Sequence, residues 1–183
     1  EAAIATLLAL AEREARDLLA RALSSDKEAD VRVLVVKRAQ ETGRRDLRDA
    51  VKAALDDADK AVRAAAFDAL AALDTAAATS TSASSSSRGQ ITAMRAALAS
   101  KHGDVRRRAL EGLVSLAGTS PLVPGLVADR LKDADGSVRL AALAALVALD
   151  LAERKDPPVD ALVAAFDKGA PDVGAWVLVR AAR

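Results

Sequence analysis

His102 is the only histidine in this chain of 183 residues, and it sits in the turn "SKHGD". As a general base or a metal ligand it would need a histidine, cysteine or carboxylate partner at fitting geometry. It stands where Asp59 and Asp135 stand in two similar stretches, so it reads as an exposed turn or capping residue. The tract "TSTSASSSS" is rich in hydroxyls, but a serine nucleophile must be held rigidly beside a base. A low-complexity tract of this kind is expected to be a flexible, solvated loop. The stretch "AGTSPLVPG" lacks both the spacing and the lysine of a phosphate-binding loop. Carboxylate runs such as "DDAD" suit turns and helix caps better than a catalytic pair. No catalytic, cofactor-binding or metal-binding residues are expected, and the chain is not expected to be an enzyme.

Basic residues could do one other thing. "VKRAQETGRRDLR" and "VRRRALEG" concentrate positive charge, and Arg32, Arg63, Arg106 and Arg139 recur at one position of a repeated phrase. Aligned in a row they could face phosphates. Carboxylates are interleaved throughout, however, and the formal net charge is only +1. With 2% aromatic residues there is little for single-stranded bases to stack on. Nucleic acid is not the expected partner, and the repeated arginines are expected to bind Asp and carbonyl groups instead.

The elements that must position these residues are helices. Hydrophobic residues make up 51% and charged residues 29%, the balance of a chain that folds. Much of the apolar fraction is Ala, Leu and Val, and Ala and Leu favour helix. There is no cysteine, which excludes disulfides and thiolate sites. No apolar run reaches the roughly 18–20 residues a membrane span requires, so no membrane partner and a cytoplasmic location are expected. Heavy use of Ala, Arg, Asp, Leu and Val suggests a GC-rich, bacterial genome.

Three phrases match one another: "LDDADKAVRAAAFDAL", "LASKHGDVRRRALEGL" and "LKDADGSVRLAALAAL". Taking Val62, Val105 and Val138 as anchors, Leu55, Leu98 and Leu131 stand seven residues before, and Val51, Met94 and Val127 four before those. An i, i+4 pair lies on one helical face, so each phrase begins in a first helix. Ala66, Ala109 and Ala142 follow the anchors, and then come Phe67, Leu70, Leu73; Leu110, Leu113, Leu116; and Leu143, Leu146, Leu149. These positions, three and four apart, form the apolar stripe of a second helix. The residues between the helices are turn and cap formers, with Asp59 and Asp135 the expected N-caps. Two further copies fit around Val31 and Val173. Leu162 and Phe166 belong to the first helix of the latter, with Trp176, Val177 and Leu178 packed in its second. The anchors are 31, 43, 33 and 35 residues apart, and a Ser/Thr-rich insertion accounts for the long interval. A period of this length points to a solenoid.

The phrases "DDADKAVRAAAFDALAAL", "DADGSVRLAALAALVAL" and "GDVRRRALEGLVSLAG" resemble the HEAT-repeat superfamily in its short bacterial, phycobilisome-lyase-type form. The resemblance implies a ladder in which an Asp six residues before the repeated Arg joins neighbouring repeats. Asp26 and Arg32, Asp57 and Arg63, and Asp133 and Arg139 have that spacing, whereas Ser100 breaks it in the third copy and Lys168 and Gly174 in the fifth. HEAT-type iron hydroxylases bind metal through repeated His-Glu pairs, which this chain lacks.

The expectation is therefore an all-α chain: a right-handed α-solenoid of about five HEAT-like helical hairpins. The partial repeat would cover 1–12 and the full repeats about 14–43, 46–74, 90–118, 121–152 and 158–183, with 75–89 a flexible insertion. Ile4, Leu7 and Leu10 would belong to a second helix whose own first helix is missing. Neither end reads as the polar cap a solenoid needs, so the chain is expected to be a segment of a larger protein. Its expected role is a non-catalytic scaffold for another protein or another domain of the same chain. The alternatives are a regulatory or substrate-recognition domain of a larger enzyme, for example a lyase, and nucleic-acid binding through the arginine row. Lys37, Asp68, Arg107, Arg108 and Glu111, on the polar faces of second helices, are the candidate protein contacts.

Overall fold

The structure, a computed structural model, describes residues 13–77 and 83–153. The described residues are helical, with no strand among them. Among the described residues eight α-helices follow in order: α1 Arg13–Ser25, α2 Ala29–Glu41, α3 Arg48–Ala53, α4 Lys60–Ala77, α5 Ala83–Leu98, α6 Gly103–Val114, α7 Leu122–Ala128 and α8 Gly136–Glu153. Short 3₁₀ turns flank α3 and follow α7. The chain divides into two compact units, 1–105 and 106–183, with the boundary inside α6. The partial repeat at 1–12, with Ile4, Leu7 and Leu10, and the expected fifth repeat, with Leu162, Phe166, Lys168, Val173, Gly174, Trp176, Val177 and Leu178, lie outside the described residues.

In the first unit, α1 packs on both α2 and α3, α2 packs on α4, and α4 packs on α3 and α5. The period of 3.6 residues explains the core. Leu19 and Leu23, one turn apart on α1, are buried, as are Val51 and Leu55. On α4 the buried stripe is Val62, Ala66, Phe67, Leu70 and Leu73. Val31, the anchor of the first copy, is only half-buried; the buried residues there are Val35, Val36 and Ala39.

α2 ends at a glycine for a conformational reason. Gly43 has φ +66°, a region costly for a residue with a Cβ. That turn lets the Arg44 amide donate to the Ala39 carbonyl (2.9 Å) and the Gly43 amide to Gln40 (3.2 Å). Both bonds are those of a Schellman motif, which satisfies carbonyls the helix leaves open.

The Ser-rich segment differs from expectation. Residues 75–77 continue α4, and α5 starts at Ala83, so Ser84 to Ser87 are helical and not part of a loop. Serine costs a helix only a fraction of a kcal/mol, of order 0.5, relative to alanine, and burial of Ile91, Met94 and Leu98 further along α5 offsets that. Gly89 allows close contact with α4: a Cβ there would stand 2.3 Å from the Asp74 carbonyl oxygen.

In the second unit, α7 packs on α8. Pro124 falls in the first turn of α7, where a missing N–H leaves no intrahelical bond unmade. Val123, Val127 and Leu131 are buried, and so are Val138, Ala142, Leu143, Leu146 and Leu149 along α8. Ala109, Leu110, Leu113 and Leu116 repeat the pattern at the end of α6 and just beyond it. No helix of the described residues is long and apolar enough to cross a membrane.

Candidate functional site

The repeated phrase becomes a repeated polar joint. Asp26, Asp57 and Asp133 each turn a carboxylate oxygen back onto the amide two residues ahead, at 2.9, 2.8 and 3.0 Å. The backbone conformations of Asp57 (φ −60°, ψ 149°) and Asp133 (φ −61°, ψ 146°) are nearly the same. Such Asx turns reverse the chain without a glycine. The next aspartate caps the following helix, as expected from the sequence. Asp59 accepts from the amides of Ala61 (2.7 Å) and Val62 (3.2 Å), and Asp135 accepts from the amide (2.8 Å) and hydroxyl (2.7 Å) of Ser137.

The repeated arginines reach across these joints. Arg32 donates through Nη1 to the Asp26 carbonyl (2.7 Å), and through Nε and Nη2 to both oxygens of Asp57 (2.8 and 2.9 Å). Arg106 makes the same two-pronged contact with Asp133, at 2.9 and 2.7 Å. Fork-on-fork pairing of this kind fixes both partners in orientation. Arg63 holds the carbonyls of Asp57 (3.0 Å) and Ala58 (2.8 Å), and Arg139 those of Asp133 (3.0 Å) and Ala134 (3.2 Å).

The Asp–Arg spacing of six therefore places the Asp backbone carbonyl on its own Arg, while the carboxylate of Asp57 or Asp133 receives the Arg of the preceding phrase. Ser100 occupies the Asp position in the third phrase, and there Arg63 turns to Asp104 instead. Both its Nε (3.2 Å) and Nη2 (2.7 Å) meet one carboxylate oxygen. Asp104 escaped sequence reasoning, although its place directly before the anchor Val105 was a signal. Ser100 is itself buried. Its hydroxyl proton is shared between Asp56 (2.7 Å) and the Leu55 carbonyl (3.0 Å), and its oxygen accepts the His102 amide (3.2 Å).

These contacts set the protonation of the carboxylates. Burial pushes Asp57 up, but hydrogen bonds from Arg32 and the Asp59 amide outweigh it, and the carboxyl lies below its usual range. The same opposition, settled by Arg63, lowers Asp104, and settled by Arg106 it lowers Asp133. Asp56 is lowered against burial by the Ser100 hydroxyl and the Lys101 amide. Hydrogen bonds from Ser137 lower Asp135.

The basic run "GRRDLR" is likewise turned inward. Arg44 forks onto Asp46 (2.8 and 2.6 Å), and Arg45 donates to the Ala76 carbonyl in the last turn of α4. Arg48 pairs with the buried Asp74 through Nε–Oδ1 and through Nη2–Oδ2 (2.8 Å). Nothing local in the sequence signals a pair 26 residues apart.

Lys37 on α2 and Asp68 on α4 are exposed. On α6, Arg107 and Glu111 are exposed and 3.9 Å apart, and Arg108 is half-buried. His102 precedes α6 at the cap position but is half-buried, not exposed, and its Nε2 is buried with no hydrogen-bond partner among the described residues. No group of three or more His, Cys, Asp or Glu side chains able to hold a metal ion occurs among the described residues. The chain matches no protein-family model and no curated protein sequence.

Proposed function

We propose that this chain is a non-catalytic protein-interaction scaffold: a right-handed α-solenoid of about five HEAT-like hairpins. The observation that carries this reading is the packing order of the first unit. There α1 packs on α3 and α2 on α4, so like helices of successive hairpins lie side by side. That order is what a stack of hairpins requires, each burying its stripe on a neighbour. Three of the four arginines that could have met phosphate support the same reading, since Arg32, Arg63 and Arg106 are already committed to carboxylates, while Arg139 donates to the carbonyls of Asp133 and Ala134. The contacts proposed for that partner, either another protein or another domain of the same chain, are Lys37, Asp68, Arg107, Arg108 and Glu111 on second helices.

Charge reversal tests this directly. Lys37→Glu, Asp68→Lys, Arg107→Glu, Arg108→Glu and Glu111→Lys would be combined and compared with the parent by crosslinking in the host cell. Loss of a specific crosslinked protein, with the unfolding midpoint unchanged, is the expected result. An unchanged crosslinking pattern would sink the contact assignment. Binding to duplex DNA that weakens steeply with salt would favour a nucleic-acid role instead.

A further inference from the structure

We draw no further inference here: the strongest candidate, the exposed apolar face of α8 around Leu140 and Ala144, carries none because nothing in the structure shows what covers it.

Discussion

In the loop that leads into α4, Asp57 accepts an amide two residues ahead and holds the guanidinium of Arg32 with the same carboxylate. At the entrance to α6, the two tasks fall on different residues, one in the loop and one in the first turn of the helix. Ser100 accepts the amide of His102, and Asp104, four positions later, holds Arg63. We attribute the difference to Asp56, whose oxygen is 2.7 Å from the Ser100 hydroxyl. An aspartate at position 100 would bring two carboxylates together, each disfavouring the other's charge. A hydroxyl there donates to Asp56 and still accepts the turn amide. The loop before α8, with Asp133, repeats the arrangement at Asp57 independently. The reversal of the chain and the capture of arginine are therefore separable requirements, and one residue meets both only where no second carboxylate stands opposite.

The largest effect should come from removing every such contact at once, by acid. Asp46, Asp56, Asp57, Asp104, Asp133 and Asp135 all lie below the ordinary carboxylate value of 3.8 in the folded chain. In the unfolded chain they take up protons near 3.8, so below that pH the unfolded state binds more protons than the folded one. Stability from these groups is complete above 3.8 and is lost as pH falls through the folded values. Urea midpoints measured from neutral pH downward should hold level and then drop in this acid range. A double Asp57→Asn, Asp133→Asn variant should drop less steeply. A parent midpoint that does not move in acid would show that the joints contribute nothing.

Next in size is Asp133→Ala, which takes the turn acceptor and the arginine acceptor together. Asp133 is 5% exposed and Arg106 12% exposed, so the guanidinium is left with little water. Breaking a buried pair from one side costs roughly 3 kcal/mol. Asp133→Asn keeps an oxygen for the Asp135 amide and should recover part of that loss in equilibrium unfolding. Equal losses for the two variants would mean that the turn contributes nothing separable from the charge.

Ser100→Asp tests the proposed reason for the difference. We expect a loss of about 1–2 kcal/mol, in the range of a like-charge pair with incomplete solvent screening. The loss should shrink when Asp56 is changed to Asn in the same chain, a coupling that a double-mutant cycle isolates. If Ser100→Asp is neutral, Asp56 is not what keeps a carboxylate out of that loop.

How far the sequence reveals these features depends on range. Asp59 and Asp135 could be assigned as caps because a cap acts on amides two or three residues away. The stripes of α4, α6 and α8 follow from a local period, and the residues on them are buried. The Arg63–Asp104 and Ser100–Asp56 contacts join residues 41 and 44 apart, and only the folded chain decides which side chains meet. The Ser run at the start of α5 misleads for a related reason. Composition speaks for a loop, whereas the close approach of Gly89 to Asp74 on α4 is a tertiary contact that no local pattern shows.

The smallest effect, and the sharpest test of the division of labour, is Asp104→Ala. Asp104 offers Arg63 a single oxygen and is itself 30% exposed, and on its loss Arg63 keeps the carbonyls of Asp57 and Ala58. A partly exposed ion pair is worth about 1 kcal/mol, well under the loss expected for Asp133→Ala. Ser100 would still hold the turn, so the loop before α6 should keep its amide protection in hydrogen exchange. Adding Ser100→Ala removes that support, and the double variant should then approach the cost of Asp133→Ala alone. If Asp104→Ala by itself already costs as much as Asp133→Ala, the two tasks are not divided between Ser100 and Asp104. The loop before α6 would then work as the other two do, with Asp104 in place of the missing aspartate.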